Sequence, residues 1–295
     1  MKYNYSVVIP HYNSSKLLKR MLLSIPNRED IQVIVVDDMS SLPEVDALKK
    51  LQHSNLKLIL QNENHGAGNA RNVGLSYVLG KWTIFVDADD FFEPTAFEVF
   101  DRYVNEQIDY LCFCIKVFDD DRQTTSNTKI VSDQSVRKYL NKKNSHNELL
   151  FKFKNTVCWN KLVSTKFIRE NQIHFETCKV NNDVFYTFMV SYLAKSYRVI
   201  PDELYNFVEV NTSLTHKTRD LEREFLFYLQ AQKRNGFFEE LGIKKYPFYR
   251  RNFLYFPFMV KKHGIIFALK FMHLISKRKE IINKSRKSYL FLLQK

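Results

Sequence analysis

The sequence predicts an α/β fold, a mostly parallel sheet flanked by helices and followed by a basic helical C-terminal region. Three observations predict it. Short apolar runs alternate with helical stretches through the first hundred or so residues, the rhythm of right-handed βαβ crossovers. The polar clusters at Pro10–Asn13, Asp37–Ser41, Asn64–Asn72 and Asp87–Asp90 fall where those crossovers begin or end. All would lie at the carboxyl edge of one sheet, where open α/β sheets bind ligands. The charge is also lopsided: of a net +13, the segment from Lys244 to Lys295 carries 14 Lys and Arg against one acid, Glu280. The rest of the chain balances 31 basic residues against 31 acidic ones.

The elements follow in order. Tyr5 to Pro10 is a β-branched and apolar first strand, and Asn13, Ser14 or Ser15 caps the helix that HYNSSKLLKRMLLSI opens. Ile31 to Val36 is an uninterrupted apolar run, as a strand covered on both faces requires. Asp37-Asp38-Met39-Ser40-Ser41 ends it, and a helix runs from about Pro43 to Gln52. Leu56 to Leu60 is the third strand, and Asn64 to Asn72 leads into a helix reaching Leu79. Thr83 to Val86 is the fourth strand, entered through Gly80-Lys81. A helix over 94–106, a strand over 109–117 and a polar hairpin or loop over 119–128 come next. Helices are expected around 135–139, 164–171 and 182–194, the last with Asp183 in its first turn. A strand over 204–210 and a helix over 219–233 precede the basic, aromatic remainder. This organises the chain as 1–110, 111–217 and 218–295: two halves of one α/β domain, then the helical region.

Composition narrows the classes. With 295 residues, 45% hydrophobic and 15% aromatic, and only 7 Gly and 7 Pro, the chain is globular rather than disordered or fibrous. The four cysteines lack zinc-type spacing and read as buried thiols in a reducing compartment. The apolar run in MKYNYSVVIPHYN is too short for a signal peptide, and no apolar window approaches the roughly 18 residues of a spanning helix. The expectation is a cytoplasmic protein.

The chemistry concentrates at KWTIFVDADDFFE. Asp87, Asp89 and Asp90 crowd the end of a strand, where they repel one another unless a counter-charge joins them. A hard divalent cation supplies one, since Mg²⁺ binds through one or two carboxylates plus substrate phosphates. A solvated acidic turn or a helix cap accounts equally well for an isolated DADD; agreement with the other three loops favours the metal.

VVIPHYN, VIVVDDMSS, NHGAGNARNVGL and VDADD together resemble family 2 glycosyltransferases of the GT-A fold, strongly over residues 3–100 and more loosely to about 215. The resemblance implies transfer of a sugar from a nucleotide diphosphate to an acceptor hydroxyl, with inversion, using Mn²⁺ or Mg²⁺. It implies that Tyr12, beside Pro10 and Asn13, stacks on uracil and that Asp38 hydrogen-bonds the base. Gly66, Asn69 and Arg71 would approach the diphosphate and ribose. Asp87-Ala88-Asp89 matches the DXD block, with Asp89 the metal ligand and Asp87 on ribose or sugar. Asp183 matches the general base, with Asn182 where many relatives have Glu. Trp159, Lys161 and His216 would lie towards the acceptor. Each assignment has a plainer counterpart: Tyr12 as a core aromatic, Asp38 and Asp183 as helix-terminal acids, Arg71 in a structural pair, Trp159 in the core.

The C-terminal segment interleaves 11 Phe and Tyr residues with its cations. An anionic membrane surface suits it better than nucleic acid, for which no stacking platform or helix motif is evident; a packed helical subdomain is the alternative. The sequence therefore reads as an inverting glycosyltransferase with a UDP-sugar donor and a glycan or glycolipid acceptor, peripheral on the inner face of the cell membrane. A nucleotidyltransferase is the alternative enzyme, but the loop after its first strand would be glycine-rich and basic, and here it is HYNSSK. A non-catalytic nucleotide-sugar-binding protein would not need Asp89, Asp90 and Asp183.

Overall fold

The computed structural model describes residues 2–209, 220–243 and 255–287. The first half is a βαβ run: β1 (Tyr3–His11), α1 (Ser15–Ser24), β2 (Ile31–Asp37), α2 (Leu42–Leu48), β3 (Leu56–Leu60), α3 (Ala67–Ser76) and β4 (Gly80–Phe85). These strands are parallel in the order β3-β2-β1-β4. Every residue of β2 is buried, because helices cover both faces of the sheet. Register aligns His11 with Asp37 and Asp37 with Leu60, so the loops that follow leave the sheet side by side.

The second half is mixed. It comprises β5 (Phe91–Phe92), α4 (Ala96–Asp101), β6 (Tyr110–Asp119), β7 (Thr124–Ser126), α5 (Val131–Asn141), α6 (Ser145–Lys154), β8 (Lys161–Ser164), α7 (Thr165–Glu170), α8 (Val184–Leu193) and β9 (Tyr197–Glu209). β8 runs antiparallel between β4 and β6, β9 lies parallel to β6, and β5 closes on β9. The predicted mostly parallel character therefore belongs to the first half. The expected hairpin over 119–128 is β6–β7.

Several boundaries differ from expectation. The helix over 94–106 stops at Asp101 and continues as turns. The one over 135–139 is longer, and α6 and β8 were not expected. α6 carries a cap signal, Asn144 accepting from Asn147 N at 2.8 Å. β8 is four residues opening on a lysine, too short for a period and polar where a strand should be apolar.

The chain divides into two compact units, one of residues 1–178 and 182–213, the other of 179–181 and 214–295. In the second, α9 (Leu221–Glu240), α10 (Tyr255–His263), α11 (Ile265–Lys277) and α12 (Lys279–Lys287) enclose a small core that includes Phe225, Tyr228, Met259, Ala268 and Phe271. No described helix is long and apolar enough to cross a membrane.

Candidate active site

The loops after β1 and β2 are stitched together. His11 Nε2 accepts from Ser14 N at 3.1 Å, so its proton sits on Nδ1, 2.8 Å from buried Asp37 Oδ1. Ser40 Oγ donates to the same oxygen and accepts from Asn13 N at 2.8 Å. Asn13, at φ 48°, takes Ser41 N on its side-chain oxygen at 2.9 Å. Tyr12 is thereby left outside the sheet, 54% exposed, with its ring available for stacking. Pro10 pairs in register with Val36 just beneath.

Asp38 faces inward. Its Oδ1 accepts from Gln61 Nε2 and His65 N, both at 2.9 Å, and its Oδ2 from Gly66 N at 2.7 Å. The carboxylate shapes the loop ahead of α3, with one lone pair of Oδ2 left over. Gly66 has φ +86°, a conformation that favours glycine. Asn69 donates to Gln61 at 2.8 Å and so belongs to the same amide chain. At Gly68 a Cβ would fall 2.0 Å from Glu176 O and 2.9 Å from Asn182 Cβ, so α3 meets these two residues only because that side chain is missing.

Arg71 joins the two halves of the sheet. From buried α3 it donates to Asp87 Oδ1 at 2.5 Å and to Asn182 Oδ1 at 2.7 Å, with its guanidinium 5.3 Å from the Phe175 ring centre. Its Nε is buried with no partner. Asp87, Ala88 and Asp89 follow β4. Asp90 is buried and committed to the fold: it accepts from Tyr205 OH at 2.7 Å and Val208 N at 2.8 Å, while Tyr205 OH also takes Asp87 N at 3.1 Å. Asp89 differs. No described side chain donates to its carboxylate, and burial, with the Asp87 charge beside it, pushes its pKa up to about 6.

Asp183 is the N-cap residue of α8 rather than part of its first turn, and its side chain makes no capping bond. It is half-buried, and burial raises its pKa to about 6 against the lowering pull of Arg71. The helix-terminal explanation for this acid therefore lacks its bond.

The acceptor-side residues divide. Trp159 is buried and stacks on Tyr205 and Phe207, with ring centres 5.3 and 5.7 Å away. Lys161 is 1% exposed and donates to Asn155 O, Val157 O and Asn160 Oδ1 at 3.2, 2.6 and 3.0 Å. Burial lowers its pKa to about 8. Both side chains are taken up by packing and hydrogen bonds within the fold, and Asn182 is occupied by Arg71. His216 lies outside the described residues.

Two residues that the sequence reading missed complete the picture. Arg20, in α1, donates to Asp89 O at 2.6 Å and Asp120 Oδ1 at 2.5 Å, 5.4 Å from the Phe91 ring centre. Nothing marks it among the neighbouring lysines of its helix. Tyr205 anchors the acidic loop through its hydroxyl, from a strand position opposite Phe92 of β5.

No cluster of three or more His, Cys, Asp or Glu side chains among the described residues is arranged to hold a metal by itself. The donor set present is one unpartnered carboxylate, Asp89, beside half-engaged Asp87. That suits a hard cation completed by substrate phosphates.

A family model described as Glycosyl transferase family 2 matches residues 6–170. The chain belongs to that family. EpsH of Bacillus subtilis (strain 168) is 25% identical over 212 residues, covering 68% of this chain and 60% of EpsH. The poly(ribitol-phosphate) beta-N-acetylglucosaminyltransferase TarS of Staphylococcus aureus is 26% identical over 212 residues, covering 69% of this chain and 35% of TarS. The chain thus spans about a third to three-fifths of the length of these relatives. Among solved structures, TarS 1–349 in complex with UDP-GlcNAc aligns with a TM-score of 0.60 at 24% identity, over 77% of this chain and 65% of that one. The Pyrobaculum calidifontis mannosyltransferase PcManGT in complex with GDP-Man and Mn²⁺ aligns at 0.53 and 14% identity, over 94% and 76%. Both show the GT-A fold shared at the level of architecture.

Proposed function

We propose that the protein is an inverting, metal-dependent glycosyltransferase that moves a sugar from a UDP-sugar to a hydroxyl of a lipid-linked or surface glycan, working peripherally on the inner face of the cell membrane. The observation that carries it is the pair of half-buried acids without side-chain donors, Asp89 and Asp183, set about the Arg71–Asp87 ion pair. Folding alone gains nothing from holding two such carboxylates half-buried and unpaired. The likeness to TarS, whose structures include UDP-GlcNAc, supports a nucleotide-sugar donor.

Tyr12 stacks on the pyrimidine, and Asp38 reads it through the free lone pair of Oδ2 or through the loop that it shapes. Arg71 holds Asp87 towards the ribose or sugar. Asp89, with Asp87 near it, would hold Mn²⁺ or Mg²⁺, and such an ion would supply positive charge for the departing diphosphate. Asp183 takes the acceptor proton as the hydroxyl attacks. Release of UDP from a panel of UDP-sugars, with Mn²⁺ and then with excess EDTA, tests this. Metal-dependent release from one donor is expected, and equal release in EDTA would remove the metal from the scheme.

A further inference from the structure

We propose that the solvent face of α11 is a docking surface for an anionic membrane, with Ile265, Ile266 and Leu269 entering the lipid and the lysines around them holding the headgroups. α11 is apolar almost all round, but the fold uses only part of that surface. Ala268 and Phe271 are fully buried in the small core, with Leu274 and Ile275 packed against it. At about 100° per residue, Ile265, Ile266 and Leu269 share the opposite face, and they are 59, 69 and 57% exposed. No other five-residue stretch of the described chain exposes three large hydrophobic residues.

Charge selects the occupant. Acids of α9 take up three cations of the unit: Glu224 pairs with Lys262, Glu222 with Arg278 and Glu239 with Arg286. Lys261, Lys270, Lys277, Lys279, Lys284 and Lys287 are exposed and have no ion pair among the described residues. Lys270 and Lys277 lie along the edge of the Ile265–Leu269 face, and Lys261 sits in the last turn of α10, just before the Gly264 turn that leads into α11. An exposed apolar strip bordered by unneutralised lysines matches the boundary between acyl chains and anionic headgroups. A second copy of the chain would bring the same lysines against themselves, which like-charge repulsion disfavours. This proposal rests on the peripheral-membrane part of the proposed function and gives it a surface; it shares no residue with the donor site, so its failure would leave the sugar-transfer reading standing.

The test is co-sedimentation of the full chain with phosphatidylcholine vesicles, with and without phosphatidylglycerol, at low and high salt. Binding is expected only with the anionic lipid and should weaken with salt. Lys261→Gln/Lys270→Gln/Lys277→Gln should weaken it on the order of a hundredfold, at about 1 kcal/mol per lysine. Ile265→Ser/Ile266→Ser/Leu269→Ser should lose more than about tenfold. These side chains are exposed, and an unchanged circular dichroism melt confirms that each variant folds. A parent that ignores anionic vesicles, or variants that bind as the parent does, would overturn the proposal. So would a parent that sediments as a dimer through this face, made monomeric by the serine substitutions without any lipid binding.

Discussion

Asp183 meets two opposing demands, one from folding and one from the proposed chemistry. A base with a pKa of about 6 is ionised at neutral pH yet basic enough to draw a proton from a hydroxyl in flight. Turnover should therefore rise with pH through about 6 and level off above it. Asp183→Asn should lower kcat by roughly 10²–10⁴-fold with little change in donor affinity, because only the chemical step needs the proton acceptor. A variant within about threefold of the parent would place the base elsewhere. The same raised pKa carries a stability cost with a definite sign. A carboxyl whose folded pKa exceeds its usual 3.8 contributes stability that is full below that value and lost as pH rises through about 6. Asp183→Asn should accordingly melt higher than the parent at pH 7.5, by at most about 3 kcal/mol, and converge with it near pH 4. Thermal melts across that range check both the sign and the window.

At the scale of elements, the acidic loop after β4 is held from three sides. Tyr205 of β9 fixes Asp90, Arg71 of α3 fixes Asp87, and Arg20 of α1 fixes the Asp89 carbonyl. Arg20 touches the main chain of the proposed metal ligand and leaves its carboxylate free, so it is a positioning residue. Arg20→Gln should raise the Mn²⁺ concentration for half-maximal UDP release by about tenfold while leaving saturated turnover within a few-fold, as one lost charged hydrogen bond implies. An unchanged metal titration with a lowered melting temperature would reduce Arg20 to a structural link between α1 and the β6–β7 hairpin.

At the scale of the molecule, two compact units share one chain, and the residues proposed to bind nucleotide all belong to the first. A ligand that binds one folded unit stabilises that unit by mass action. Calorimetry should then resolve two transitions, with UDP and Mn²⁺ raising one and leaving the other in place. UDP should shift it more than ADP or GDP, since Tyr12 and the Asp38 loop are proposed to read a pyrimidine. Equal shifts for all three nucleotides would end the base-recognition assignment without touching the fold.

Sequence alone determined the parallel half, the acidic loop after β4, and the family, because each is written in local terms. A doubly covered strand must be continuously apolar, and a loop at the carboxyl edge carries its polar residues in one short stretch. It also determined where the positive charge lies. Tertiary structure decided which of those residues are free. Lys161 reads by resemblance as an acceptor-side residue, or else a surface charge, yet three oxygens from an unexpected turn enclose it. Asp38 reads as a base ligand, yet backbone amides of the next loop take most of its carboxylate. Asp183 reads as a general base by resemblance or as a helix-terminal acid, and its side chain at the N-cap of α8 makes no capping bond. β8, Arg20 and Tyr205 act through partners tens of residues away, where no periodicity reaches, and the apolar surface of α11 divides into core and exposed face only once α9 and α10 have covered one side. Hydrogen-bond satisfaction and burial are pairwise and long-range, so they exist only in the folded chain.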